Sequence, residues 1–340
     1  MRNQVVHPAR WRPGRVPAVA AAVLALTAGC ATGPAIRIAD SPVHPQPGQP
    51  VALPVVYDAD RFYVAPVVDN GARLLFLTDT GGGLFAWRET VDRMAAAQAS
   101  SGRSAAQDTQ GVVTLHFKPD ASIPPGRDGG GRLPTFKSSD RASSPEDGML
   151  GQSWFGGRVW TFDYPGRRLL WRAARDVPQT DPTHRVPLGF KWTLLGRFDY
   201  PRIVVEIDGQ RHHLLFDTGA TLMPADAAKA IFPDAGPTGC ATSFISESVF
   251  ERWRTRHPDW RIIPAAEART GLAIIEVPAV TVGGFTVGPV WFTNRPDRNW
   301  KWMSQWTDRP IEGALGGSAL KYFRVTVDYP SAVAVFERPD

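Results

Sequence analysis

Apolar and polar positions along this chain change over in short bursts, with few stretches that hold a helical stripe. Residues 62–68 and 73–78 form two apolar runs in succession, and 203–207 and 211–216 repeat the arrangement. The second pair is joined by Asp208-Gly209, the two-residue signal of a tight hairpin. A third hairpin is predicted over 277–282, Gly283-Gly284 and 285–292. Helical periodicity is confined to 225–232 and 247–257, where Ser246 can cap the second segment and Pro258 stops it. The stretch 119–146, rich in Gly, Pro and Ser, reads as a long loop, and 174–184 reads as a linker. The pattern predicts a mainly β chain with a few short helices.

The chain also repeats itself. Gly151, Ser153, Thr161, Asp163, Tyr164 and Pro165 recur as Gly316, Ser318, Thr326, Asp328, Tyr329 and Pro330, each at an offset of 165. Met149-Leu150 and Ala314-Leu315 precede the two blocks, so each copy reads apolar, apolar, Gly. Upstream, Asp79-Thr80-Gly81 and Asp217-Thr218-Gly219 each follow an apolar run. Asp79 lies 72 residues before Gly151 and Asp217 lies 99 before Gly316, so the second copy carries about one extra supersecondary element. Two lobes on one plan are expected, at 51–173 and 185–340.

With 340 residues and 43% of them hydrophobic, the chain can bury a substantial core. Its formal charge of +5 falls to +1 without Arg2, Arg10, Arg12 and Arg15, which removes the electrostatic case for a nucleic-acid partner. Those arginines open a three-part leader: a basic stretch, the apolar run 16–28, then small residues. The end of it, Leu26-Thr27-Ala28-Gly29-Cys30, resembles a bacterial lipobox, with Thr27 where Leu is usual. The resemblance implies a signal peptide over 1–29, acylation of Cys30, and a lipid anchor in the cell envelope. Ala31, in place of Asp, points to the outer membrane, facing the periplasm. Residues 30–50, with five prolines, read as an extended tether.

An Asp followed by a small hydroxyl residue and Gly at a strand end places a carboxylate on a sharp turn that can approach a partner closely. Two such turns facing each other make a pair that shares one proton, because like charges a few ångströms apart raise one pKa strongly. The ionised member can take a proton from water while the protonated member polarises a carbonyl, which is amide hydrolysis without a covalent intermediate. Thr80 and Thr218 can bond across the junction, and the amides of Gly81 and Gly219 can donate to the carboxylates.

The paired turns, the downstream apolar-apolar-Gly and the phrase Val325-Thr326-Val327-Asp328-Tyr329-Pro330 resemble retropepsin-like aspartic proteases, fused here into one bilobal chain as in the pepsins. The resemblance spans about residues 51–337. It implies two closed, barrel-like β lobes with a cleft between them, peptide or protein substrates, catalysis by Asp79 and Asp217, and supporting strands at Leu150-Gly151 and Leu315-Gly316. No cofactor or metal is called for, and the expected form is a monomer. The first turn departs from the family at Thr78 and at Gly82-Gly83, and no Tyr lies between Asp79 and Gly151. The flap is therefore expected at 111–119, with Phe117 as its aromatic. The alternative is a peptide-binding or structural lipoprotein of the same fold without turnover.

Other candidates read as structural. Ser153 lacks the nucleophile-elbow pattern and recurs as Ser318. His212 and His213, adjacent on a strand, point to opposite faces. Glycines 129–131 lack the Lys-Ser or Lys-Thr of a phosphate loop. Asp163 and Asp328 fix turns. Cys240 reads as a small semi-buried residue, and Trp300, Trp302 and Trp306 are partly buried in the second half, with the cleft wall or a membrane interface as alternatives.

Overall fold

The computed structural model describes residues 35–100, 112–127, 129–136 and 145–339; the leader and Cys30 lie outside them. The protein is mainly β, with short helices at the margins of the sheets. All three predicted hairpins form. Arg202–Ile207 pairs with Gln210–Phe216, and the turn between them holds Asp208 at φ 53° and Gly209 at φ 67°. Two left-handed residues in succession give the turn a twist that matches the strands it joins. Gly283 and Gly284 play the same part between Val280–Val282 and Phe285–Val287. Arg61–Val64 lies antiparallel to Phe76–Thr78, with Tyr63 opposite Leu77.

The duplicated blocks meet in a six-stranded sheet at the centre of the molecule. Its two middle strands, Val159–Asp163 and Arg324–Asp328, are the equivalent segments of the two copies. They run antiparallel with Thr161 opposite Thr326, Val159 opposite Asp328 and Asp163 opposite Arg324, so a local two-fold axis passes between the threonines. The two hydroxyls lie 2.7 Å apart and bond to one another. Asp163 and Asp328 accept from the amides of Gly166 and Ser331, three residues on, and fix the two turns as expected. Trp154, Phe155, Trp160, Phe162 and Tyr164 of the first half share one buried cluster with Phe216, Phe323, Val325 and Tyr329 of the second. Every sheet among the described residues is open, with an edge strand at either side; none closes into a barrel.

Three expectations need correction. The segment 30–50 is not simply a tether: Ala35–Ile38 is the middle strand of a three-stranded sheet, between Val112–Leu115 and Arg132–Leu133. Its alternating small and branched residues, Ala35, Ile36 and Ile38, are buried, and five nearby prolines masked that short pattern. Because Val112–Leu115 is committed to that sheet and Phe117 is 7% exposed within the core, the described part of 111–119 is not a flap. The stretch 119–146 contains the short strands Arg132–Leu133 and Thr135–Phe136 and the strand at Gly148 follows it directly. The helices differ in detail. The first shrinks to Asp226–Lys229, and Glu247–Arg256 is capped by Asp297, which accepts from the Ser248 amide at 3.1 Å, in place of Ser246. Arg88–Ser100 is an additional helix of 13 residues, held by Val91 and Met94 alone on its apolar side apart from alanines.

The threonine pair on the axis offers a direct stability test. Thr161→Val leaves the buried Thr326 hydroxyl without a partner, and the expected cost is about 1–3 kcal/mol in denaturant unfolding. The double change to valine removes both polar groups, so it should cost less than the sum of the two single changes.

Candidate active site

Both Asp-Thr-Gly turns leave a strand that is paired on its far side with the apolar-apolar-Gly segment of its own half. Gly148–Leu150 runs parallel to Phe76–Thr78, and Gly313–Leu315 runs parallel to the end of Gln210–Phe216. The Asp79 amide donates to the Leu150 carbonyl at 3.0 Å, and the Asp217 amide donates to the Leu315 carbonyl at 3.0 Å. The next residue in each half must be glycine. A Cβ on Gly151 would stand 2.1 Å from the Gly83 carbonyl oxygen, and one on Gly316 would stand 1.9 Å from that of Thr242. Leu150, Gly151, Leu315 and Gly316 thus lie against the Asp-Thr-Gly turn of their own half.

The turns are tied to each other by four hydrogen bonds in a closed, reciprocal set. Thr80 Oγ1 donates to the Phe216 carbonyl at 2.6 Å and accepts from the Thr218 amide at 3.1 Å. Thr218 Oγ1 donates to the Thr78 carbonyl at 3.1 Å and accepts from the Thr80 amide at 3.2 Å. A hydroxyl can do both at once, which no apolar side chain of that size can. Both threonines are fully buried, so the set is shielded from competing water.

That lock brings the carboxyl groups together. A Cβ on Gly81 would lie 2.7 Å from Asp217 Cγ, and one on Gly219 would lie 2.3 Å from Asp79 Cγ, so each glycine is the floor for the opposite carboxyl group. Asp79 Oδ1 accepts from the Gly81 amide and Asp217 Oδ1 from the Gly219 amide, each at 3.0 Å. The two carboxyl groups thus face each other closely enough for each to perturb the protonation of the other. Burial raises the pKa of Asp79, partly offset by the bond with Asp217 and by the amides of Gly81 and Gly82. Burial raises that of Asp217 much further, and the neighbouring charge of Asp79 adds to it. The pair therefore holds a proton well above the usual carboxylate range, titrating as one unit.

The departures in the first turn have structural reasons. Thr78 is fully buried, and its hydroxyl is satisfied by the Phe62 carbonyl at 2.8 Å. Gly82 sits so close to the dyad that a Cβ there would fall 2.4 Å from Asp79 Oδ2 and 2.7 Å from Met149 Sδ.

Two residues beside the dyad escaped the sequence reading. Arg61 is 1% exposed and reaches from the first half into the second, donating to the carbonyls of Thr238 and Gly239 at 2.7 Å and to Thr221 Oγ1 at 3.3 Å. Thr221 in turn donates to the Gly219 carbonyl, within the second turn. Tyr200 is fully buried; burial and the charge of Asp79 push its phenol well above the ordinary range. Neither carried a motif. Arg61 follows Asp58-Ala59-Asp60 and reads as a solvated turn residue, and Tyr200 precedes a proline outside the predicted strand.

The residues set aside behave as structural ones. Ser318 Oγ bonds to Ser243 Oγ at 2.9 Å and donates to the Trp291 carbonyl. His212 is buried with Nδ1 at 2.9 Å from Glu312, while His213 lies on the outer face and accepts from Arg202 at 3.0 Å. Among the described residues no three His, Cys, Asp or Glu side chains are grouped to hold a metal. Burial pushes the Cys240 thiol up to about 12, which removes it as a nucleophile. Trp300 is buried and Trp302 and Trp306 are half-buried, in a small cluster with Tyr200 and Leu215.

The raised pair makes stability depend on pH in a defined sense. Because folding raises these pKa values, the folded chain binds the shared proton more tightly than the unfolded chain. The contribution is complete below the ordinary carboxylate range and is lost as pH rises through the pair's own range. The unfolding midpoint of the wild type, followed from about pH 4 to about pH 8, should therefore carry a descending component of at most about 1.4 kcal/mol per pH unit per proton. Asp217→Asn should reduce that component to what the burial of Asp79 alone contributes. An unchanged descent in the variant would show that the dyad does not hold the proton.

No family model and no curated protein matches the chain. Among solved structures it is similar to the protein called edgp, with a TM-score of 0.43 and 11% identity over 86% of this chain and 95% of that one. It is likewise similar to the aspartic proteinase of Irpex lacteus, with a TM-score of 0.44 and 11% identity over 86% of this chain and 98% of that one.

Proposed function

We propose that the protein is an aspartic endopeptidase in which Asp79 and Asp217 activate water against a peptide carbonyl. The observation that supports this reading most directly is the reciprocal lock between Thr80 and Thr218, which holds two acids in contact at the junction of the halves. In the singly protonated pair the ionised carboxylate takes a proton from water, and the resulting hydroxide adds to the carbonyl carbon. The protonated partner donates to the carbonyl oxygen, and a proton returned to the nitrogen lets the amine leave. The atoms balance with water as the sole co-reactant.

The finer parts of the proposal follow from the sequence. The lobes are 51–173 and 185–340, joined through 174–184, in a pepsin-like bilobal arrangement acting as a monomer on peptide or protein substrates. Cys30 carries the lipid, and the chain faces the periplasm from the outer membrane. The loosened first turn is the feature that would favour a binder without turnover. Its glycine is accounted for by the space that Asp79 and Met149 leave, so it fits an intact dyad.

Asp79→Asn and Asp217→Asn each remove one partner of the shared proton while keeping the shape of the turn. Either change should lower cleavage of a mixed peptide library, assayed from acidic to neutral pH, by at least about 10²-fold. Circular dichroism should show the fold retained. Turnover kept in either variant would reject the shared-proton mechanism.

A further inference from the structure

Four large apolar side chains stand exposed among the described residues, and three of them belong to one hairpin: Trp192 at 73%, Leu194 at 106% and Leu195 at 98%. The hairpin pairs Trp192 with Arg197 and Thr193 with Gly196, leaving the two leucines at its tip. It is a built projection. Thr193 Oγ1 donates to the Gly196 carbonyl at 2.9 Å and accepts from the Leu195 amide at 3.2 Å, and Gly196 takes φ +128° at the bend.

The root is held as firmly. Gly189 and Arg202 exchange both backbone hydrogen bonds, and the Phe198 amide donates to the Lys191 carbonyl. Lys191 Nζ donates to the Gln305 carbonyl, Arg197 donates to the Tyr329 carbonyl at 2.8 Å and pairs with Asp199, and its guanidinium covers the Phe190 ring at 4.4 Å. Along the chain the cation of Lys191 precedes Trp192 and the two leucines at the apex, while Arg197 on the far side is buried and neutralised by Asp199.

From the fixed apex and its flanking charges we infer that this hairpin inserts its tip into the interface of an anionic phospholipid bilayer. Apolar side chains at a convex tip gain by entering the acyl boundary without needing a shaped partner, while Trp192 and Lys191 sit at headgroup level. Three side chains fall well short of the roughly 800 Å² per partner that a stable protein interface buries. The surroundings favour anionic lipid. An open groove starts at the root, where Asp308 and Arg202 lie against Gly189, and its charged lining is Arg185, Arg202, Arg211 and Arg309 against Glu206 and Asp308. Arg202 is taken up by a two-point pair with Asp308. The contact is independent of the peptidase reading and of acylation at Cys30.

The test uses the full chain carrying Cys30→Ser and Leu195→Cys, labelled at residue 195 with the environment-sensitive dye NBD. Cys240 is buried and its thiol is held protonated, so the label goes to the tip. A second sample carries the label through Asp234→Cys, on an exposed loop of the same half. Vesicles of phosphatidylglycerol and phosphatidylethanolamine should shift the emission at 195 to the blue and leave that at 234 unchanged. Phosphatidylcholine vesicles should give a smaller shift at 195. Adding Leu194→Asp, at a fully exposed position where the fold is indifferent to the change, should abolish the shift even while the leader keeps the chain on the vesicles. No shift at 195, or an equal shift at 234, would overturn the proposal. So would a shift without lipid that grows with protein concentration, which identifies a second copy as the occupant, or one produced by peptide alone, which identifies a lid.

Discussion

Two carboxyl groups that repel each other once both ionise are kept in contact at the seam between the halves, and the structure around them is arranged to prevent their separation. The repulsion is relieved by retaining one proton, and the geometry is enforced by the crossed bonds of Thr80 and Thr218. Each bond joins a hydroxyl of one half to a backbone group of the other, so a shift of either turn breaks bonds on both sides. Gly81 and Gly219 complete the constraint from the opposite direction, since only a residue without Cβ leaves room for the facing carboxyl group.

The same reciprocity extends outward from the seam. In the central sheet the two copies pair about Thr161 and Thr326. At the edges, Ala59 accepts from the Ala241 amide and the Asp60 carbonyl lies against Gly317, which places a turn of the first half on the helix Gly317–Leu320 of the second. The register of the strands makes Asp199 the counterpart of Asp60. Asp199 correspondingly docks on the first half, its amide donating to Gln152 Oε1 at 2.8 Å and its carboxylate lying against Gly156. Two halves on one plan can thus position the paired turns through contacts that recur in both, as the threonine bonds and the docking of Asp60 and Asp199 do.

What was legible in the sequence is what depends on local chemistry or on repetition. Asp208-Gly209 and Gly283-Gly284 declare their turns because few residues tolerate two left-handed conformations in succession. The dyad and its glycines were legible because the same three letters recur in the same context. The strand at Ala35–Ile38 was hidden because its partners come from residues 112–115 and 132–133, a pairing that no local pattern announces. The helix Arg88–Ser100 was hidden for a related reason: it has a thin apolar stripe and is kept by what it packs on. Arg61 and Tyr200 were missed because their importance lies in distance across the chain, from residue 61 to residues 221–239 in the first case.

The two halves depart from symmetry immediately around the acids. Tyr63 faces Leu77 and Arg202 faces Leu215, each two residues before its Asp, so Arg61 and Tyr200 occupy equivalent positions. One contributes a buried cation fastened to the rim of the second turn, and the other contributes a buried ring beside the first acid. The acids themselves differ in access: Asp217 is 9% exposed, while Asp79 is only half-buried. Here burial raises the pKa of both acids and the charge of Asp79 adds to the rise at Asp217, so the retained proton belongs to the pair as a unit. Solvent reaches the pair on the side of Asp79, the less buried of the two carboxyl groups.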